Sequence, residues 1–221
     1  MRRTVIALAL FAAGMAQAAT VSVYTSLAAW EAAITGSAQL QDFDSFANGA
    51  DLTGVPVLPG LTLSSNIGGP VHVFGAAKTA SAFGAARQAG NAYFEGQYAL
   101  PFLAAALDIT SFESEPGNDS TAIDQGTLTF WFDDGSTQDI LLSGSAGSPV
   151  PNVFAGVISD HAITAFRWTE AHEGNGGNEE TGLDNLRVAM RATNELPLPG
   201  SLPLAMLALA AALPLARRRR S

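Results

Sequence analysis

The segment GTLTFWFDDGSTQDILLSG, residues 126–144, alternates apolar and polar positions with period two and turns on an Asp-Gly pair. Leu128, Phe130 and Phe132 fall on one face of an extended chain, and Thr127, Thr129 and Trp131 fall on the other. A helix would scatter these residues around its axis, so the pattern demands a half-buried strand. Asp134-Gly135 supplies a hairpin turn, and Asp139 to Leu142 forms the returning strand.

Other stretches repeat the signal. Leu61 to Ser65 alternates, and so does ITAFRWT, residues 163–169. Val71 to Phe74, Ala92 to Glu95, Phe102 to Ile109 and Val153 to Ser159 are short runs set off by Gly, Pro, Asn or Ser. Leu183 to Met190 makes a closing strand. Near the start, Thr20 to Thr25 reads as a short strand and Ser26 as a helix cap. Leu27, Trp30 and Ile34 then form one apolar stripe, ended by Gly36. Many short strands with one helix predict an all-β fold, an antiparallel β-sandwich with one short N-terminal helix, over residues 19–190.

The two ends differ from this body. Arg2 and Arg3 precede an apolar core, Val5 to Ala13, and the small-x-small site Ala16-Gln17-Ala18. That order predicts a signal peptide over residues 1–18, passed through the Sec translocon and cut by signal peptidase after Ala18. At the other end, Leu196 to Ala216 is 21 residues without a charge. Pro197, Pro199 and Pro203 favour an extended start, so residues 191–200 read as a Pro-rich linker. Residues 201–216 follow as a C-terminal transmembrane helix. Arg217, Arg218, Arg219 and Arg220, within residues 217–221, form a cytoplasmic stop. Export at the front and a positive stop at the back place the body outside.

Charge agrees with that placement. All twenty acidic residues lie between Ala19 and Glu195, against five basic ones there, a formal charge of −15 for the body. Such a surface repels nucleic acid and keeps an exported protein soluble. The chain has no cysteine. Disulfide staples, thiol catalysis and thiolate metal sites are therefore excluded within it.

The tail ELPLPGSLPLAMLALAAALPLARRRRS resembles the PEP-CTERM sorting signals of Gram-negative bacteria, which join a proline motif, a hydrophobic helix and an arginine cluster. Leu196, Pro197, Leu198, Pro199 and Gly200 are similar to the Val-Pro-Leu-Pro-Ala variant, with Leu196 in place of the valine and Gly200 in place of the alanine. The resemblance implies recognition by an exosortase near the proline motif. It also implies an inner-membrane intermediate, followed by delivery to the cell surface or extracellular matrix. FDSFANGADLTG, GTLTFWFDDGS, FAGVISDHAITAFRW and GLDNLRV resemble landmarks of the jelly-roll-like exported domains that often carry this tail. That second resemblance bears on the fold and names no activity.

Catalytic patterns are sparse. His72, His161 and His172 form no HExxH or HxH motif, and neither a GxSxG elbow nor a phosphate loop is present. Glu113 with Glu115, and Glu170 with His172, are candidate pairs that would share a strand face at i, i+2. Glycoside hydrolysis needs two opposed carboxylates, whereas i, i+2 pairs arise by chance in an acidic chain. The expectation is a protein that is not an enzyme. Calcium, which takes six to eight oxygen ligands, is a candidate cofactor, with Asp184, Asn185, Asp42 and Asp44 as ligands by analogy with sugar-binding jelly rolls. Residues 182–185 read equally as a turn or bulge entering an edge strand, with Asp and Asn bonding to their own backbone. For sugar contact, Trp131 is the first candidate, because its neighbours claim the core face; Trp168 and Tyr98 follow. An outward tryptophan can equally pack beneath a second layer. Trp30 belongs to the helix stripe.

The sequence therefore predicts an exported, exosortase-sorted surface or matrix protein with a structural or adhesive body that contacts exopolysaccharide. The alternatives are a calcium-dependent lectin-like module and a secreted glycan-processing enzyme.

Overall fold

The computed structural model describes residues 18–34, 36–66, 71–75, 79–83, 92–110, 125–144, 151–170 and 180–190. The signal core, the sorting motif, the C-terminal helix and the arginine stop expected from sequence lie outside the described residues, as do Glu113, Glu115 and His172. Among the described residues no helix is long and apolar enough to cross a membrane.

Among the described residues, one helix, α1 (Leu27–Ala33), and eleven strands make up the fold. The strands are β1 (Val21–Tyr24), β2 (Gln39–Gln41), β3 (Pro56–Leu58), β4 (Leu61–Ser65), β5 (His72–Phe74) and β6 (Thr79–Phe83). They continue with β7 (Ala92–Thr110), β8 (Gln125–Phe132), β9 (Thr137–Ser143), β10 (Val153–Glu170) and β11 (Glu180–Ala189). Every named pair is antiparallel. The sheet runs β5-β6-β11-β7-β10-β8-β9, with β4 on β7, β3 on β4, β1 on β10 and β2 on β11.

Two strands are far longer than the sequence suggests. The 19 residues of β7 and the 18 of β10 each read as two short runs, yet each forms one strand. The reason lies in their mutual pairing. Ile158 faces Ala104, Ile163 faces Phe102 and Ala165 faces Gln97. Extra residues of β10 (159–162) and of β7 (98–101) bulge in turn, and the two slips cancel. Register is thus the same on both sides of the break. Pro101 falls inside it, where its missing N–H removes no bond of this ladder. Bulges of this kind bend a strand.

Each long strand consequently serves two half-sheets. The first halves of β10 and the second half of β7 pair with β1 and β11; the opposite halves pair with β8 and β4. Both half-sheets feed one core. Phe94, Phe130, Phe166 and Trp168 come from one, and Leu107, Ile109, Val157 and Leu183 from the other, all fully or almost fully buried. Burying each such side chain contributes about 2–3 kcal/mol. One bent antiparallel sheet thus turns its two halves onto a shared core, the layering that the expected β-sandwich requires.

Glycines make room for the largest rings. A Cβ on Gly96 would lie 2.0 Å from the Phe166 ring, and one on Gly126 would lie 2.1 Å from Trp168. On the other face of the second half-sheet, α1 covers Ala104, Ala106 and Ala189 with Trp30, as its stripe predicts. Trp30 sits against Gly156 and donates its indole N–H to the carbonyl of Val157 at 3.1 Å. Coverage on both faces explains why FLAAALDI is nearly continuous in apolar residues.

Candidate functional site

The outward face of the β4-β7-β10-β8-β9 half-sheet is built by the same alternation that fills the core. On β8, burial alternates strictly, with Leu128, Phe130 and Phe132 inside and Thr127, Thr129 and Trp131 on the outer side. On β7, Phe94 and Gly96 point inward, so Tyr93, Glu95 and Gln97 point outward. On β10, Phe166 and Trp168 point inward and Arg167 outward.

Strand register aligns these side chains into rows. Ser64, Glu95, Arg167, Thr129 and Asp139 form one row across five strands, and Thr62, Gln97, Ala165, Trp131 and Thr137 form the next. Arg167 is the centre of the face. Its guanidinium lies 4.4 Å from the Tyr93 ring centroid and 5.6 Å from that of Trp131. Its Nε donates to Glu95 Oε2 at 2.9 Å, and its Nη2 donates to the same oxygen. Gln97 Nε2 donates to Glu95 Oε1 at 2.6 Å. Thr129 Oγ1 donates to Asp139 Oδ1 at 2.7 Å. A shallow groove of about 350 Å3 is lined by Glu95, Gln97, Trp131, Phe132, Thr164, Ala165 and Arg167.

Chemically, this face sets two aromatic rings around a guanidinium, edged by carboxylate, amide and hydroxyl groups. Flat rings match the apolar faces of sugar rings or aromatic groups, and the polar edge matches hydroxyls. A formal charge on Arg167 is already balanced by Glu95, so the face offers hydrogen bonds more than net charge.

The three aromatic candidates from sequence separate here. Trp131 lies on the outer face, half-buried, within the groove. Trp168 is fully buried and belongs to the core, because its position on β10 has the phase of Phe166. Tyr98 packs against that core, with its ring 5.8 Å from Phe102 and 6.0 Å from Phe166. Burial pushes its hydroxyl pKa well above the ordinary tyrosine range. Neither Trp168 nor Tyr98 is placed to stack on an external ligand. Tyr93 and Arg167 were missed. The alternation in YFEGQY would have placed Tyr93 beside Glu95, but no short-range signal reaches from there to Arg167, 72 residues on in sequence from Glu95.

The expected calcium ligands share a neighbourhood without forming a ligand shell. Burial, reinforced by the charges of Asp108, Asp42 and Asp44, pushes the Asp184 carboxyl up to about 6 against the N–H of Asn185. Asn185 has φ 49° and donates its amide to Asp108 Oδ2 at 2.9 Å; its N–H bonds Asp184 Oδ1 at 2.7 Å. Arg187 Nη1 lies 3.6 Å from Asp108 Oδ2 and donates to the Asn185 carbonyl at 2.8 Å. Among the described residues no group of three or more His, Asp or Glu is arranged to hold a metal ion. The bulge reading of residues 182–185 holds, since the β11–β7 register slips between Asp184 and Arg187. The edge-strand part does not: β11 is flanked by β7 on one side and by β6 and β2 on the other.

His161 pairs with Asp133 across a corner of the molecule, Nδ1 to Oδ1 at 2.9 Å. That bond raises its pKa above the ordinary histidine value, with Asp134, Asp133 and Asp160 adding attraction and burial opposing. Of the other carboxylate–histidine pair, Glu170 ends β10 and His172 lies outside the described residues.

No protein-family model matches the chain, and no curated protein matches it. Among solved structures, it is similar to the family 11 carbohydrate-binding module of cellulosomal cellulase Lic26A-Cel5E of Clostridium thermocellum. The identity is 12% over 72% of this chain and 99% of that one, with a TM-score of 0.32. A family 11 carbohydrate-binding module from Clostridium thermocellum, in complex with a β-1,3-1,4-mixed-linked tetrasaccharide, matches at 12% identity over 66% of this chain and 98% of that one, TM-score 0.20. So loose a superposition assigns no residue of this chain to a counterpart in theirs.

Proposed function

We propose that this is an exported, non-enzymatic module whose Tyr93–Arg167–Trp131 face contacts a neutral glycan, the exopolysaccharide of the cell surface or matrix. One observation carries the reading: Trp131 points away from the core and lies with Tyr93 on either side of an arginine fixed by Glu95. Two aromatic side chains on one outward face can meet sugar rings, and Gln97, Thr129 and Asp139 supply hydroxyl partners. In the export half of the proposal, the signal peptide directs secretion and the proline motif at Leu196–Gly200 is handled by an exosortase. That half rests on the order of motifs in the sequence.

The test is retention on insoluble exopolysaccharide, with Trp131→Ala and Tyr93→Ala as variants. Each is expected to weaken retention about tenfold, since one aromatic contact contributes about 1–1.5 kcal/mol. Retention equal to the parent in both variants removes the face from the proposal.

A calcium-held lectin-like module is the second reading. It is favoured by the three carboxylates that act on Asp184, because a divalent cation would relieve their mutual repulsion.

A further inference from the structure

The first residues after the Ala16-Gln17-Ala18 motif are tied to the body by carboxylates. The backbone nitrogen of Ala19 donates to Asp134 Oδ2 at 2.8 Å, and Ala19 itself packs against the core. Thr20 N donates to Asp160 Oδ1 at 2.7 Å, and Asp160 N bonds the Thr20 carbonyl at 3.3 Å. Pairing of β1 with β10 then begins at Val21 and Ser159. Asp134 is held for this contact from behind: its other oxygen, Oδ1, accepts from Ser136 N at 2.8 Å and Ser136 Oγ at 2.7 Å.

We propose that hydrolysis of the Ala18–Ala19 peptide bond turns the Ala19 nitrogen into an α-ammonium that Asp134 holds as an ion pair, locking β1 to the β8–β9 turn. Water breaks the C–N bond. Its oxygen stays on the Ala18 carbonyl carbon, which leaves as a carboxylate on the leader, and its protons pass to the Ala19 nitrogen. An amide offers one neutral donor; the ammonium offers three donors and a charge. Charge-assisted hydrogen bonds are roughly twice as strong as neutral ones. The groups facing the new terminus are Asp134 and, through Thr20 and the same corner, Asp160, Asp133 and His161. Their balance is negative even with His161 protonated. A cut one or two residues earlier would leave a neutral amide at Ala19 and carry the charge away from Asp134. The position of the cut therefore decides whether the new charge falls on the nitrogen that Asp134 already holds.

This inference rests on the export reading, and the experiment separates the two. The full chain is exported from a Gram-negative host, and the mature protein is analysed by intact mass. The expected first residue is Ala19; any other mature terminus overturns the proposal together with the cleavage position. The mature protein is then acetylated on its α-amine near neutral pH, where that amine reacts ahead of lysine. Acetylation is expected to lower Tm by about 1–3 °C, less at high salt. The loss should vanish in Asp134→Asn and persist in Ser136→Ala, which keeps the carboxylate. Equal losses in the parent and in Asp134→Asn overturn the ion pair while leaving export standing. Should Asp134→Asn fail to accumulate, titration of the α-amine in the parent decides. A pKa raised above the ordinary range is expected, and an ordinary one overturns the proposal.

Discussion

The Phe166 ring packs directly against Gly96 on the neighbouring strand, and the two are direct partners in the β10–β7 register. A side chain at position 96 would meet a fully buried ring that has no room to move. Gly96→Ala is therefore expected to destabilise the protein by about 3 kcal/mol, measured as a lowered urea midpoint. Gly126→Ala should behave alike, through Trp168. Gly135→Ala is the control: its φ is 83°, but nothing lies within 4 Å of the added carbon. It should cost about 1 kcal/mol. Similar losses at all three positions would show that backbone conformation, not ring packing, sets the cost.

Arg167 yields a prediction of opposite character. Its side chain is 39% exposed and its ion pair with Glu95 is open to solvent. Pairs of that kind contribute about 1 kcal/mol or less to stability. Arg167→Lys should shift Tm by no more than about 3 °C. Glycan retention should nevertheless fall, because an ammonium cannot form the planar bridge between Tyr93 and Trp131. Unchanged retention with Arg167→Lys would make the arginine a bystander to binding.

His161 is expected to titrate above the ordinary histidine value in an NMR pH series. The carboxylate of Asp133 is the main cause. Because the folded pKa is raised, the associated stabilisation is complete below the unfolded value of 6.5 and disappears as pH climbs through the folded one. In Asp133→Asn the titration should move down toward 6.5. A midpoint that ignores this substitution would assign the shift to Asp134 and Asp160 instead.

How far the sequence revealed this molecule depends on the range of each signal. Alternation is local, and it placed Leu128, Phe130 and Phe132 inside and Trp131 outside. The Asp134-Gly135 turn and the Leu27–Trp30–Ile34 stripe are local as well, and both stand where expected. The same alternation in ITAFRWT gives Trp168 the phase of Phe166, which marks it as core once β8 and β10 are known to share a face. Long β7 and β10 were hidden because Pro101 and the polar Asp160–His161 step resemble strand ends. Only the compensating slips between two strands some 60 residues apart in sequence join them. The Glu95–Arg167–Trp131 arrangement was illegible for the same reason: it is produced by register, not by any motif.

Asp184 ties pH to stability in the other corner of the fold. Its carboxyl is pushed up to about 6 from an unfolded value of 3.8, chiefly by burial and then by Asp108, Asp42 and Asp44. A raised carboxyl binds its proton more tightly in the folded state. The stabilisation is thus fully present below 3.8 and is lost as pH rises through about 6. The group is only partly buried, so screening reduces the effect to on the order of 1 kcal/mol. Asp184→Asn keeps an oxygen for the Asn185 N–H and removes the charge. Denaturant midpoints should therefore show the variant more stable than the parent at neutral pH, with the advantage gone in mild acid. A constant difference across that range would contradict the assignment. Calcium at neutral pH separates the second functional reading. A cation held by Asp184 would favour its ionised form, raise Tm in the parent, lose that rise to chelator and leave Asp184→Asn unmoved. A parent whose Tm ignores both calcium and chelator ends the calcium reading and leaves the pH slope in place.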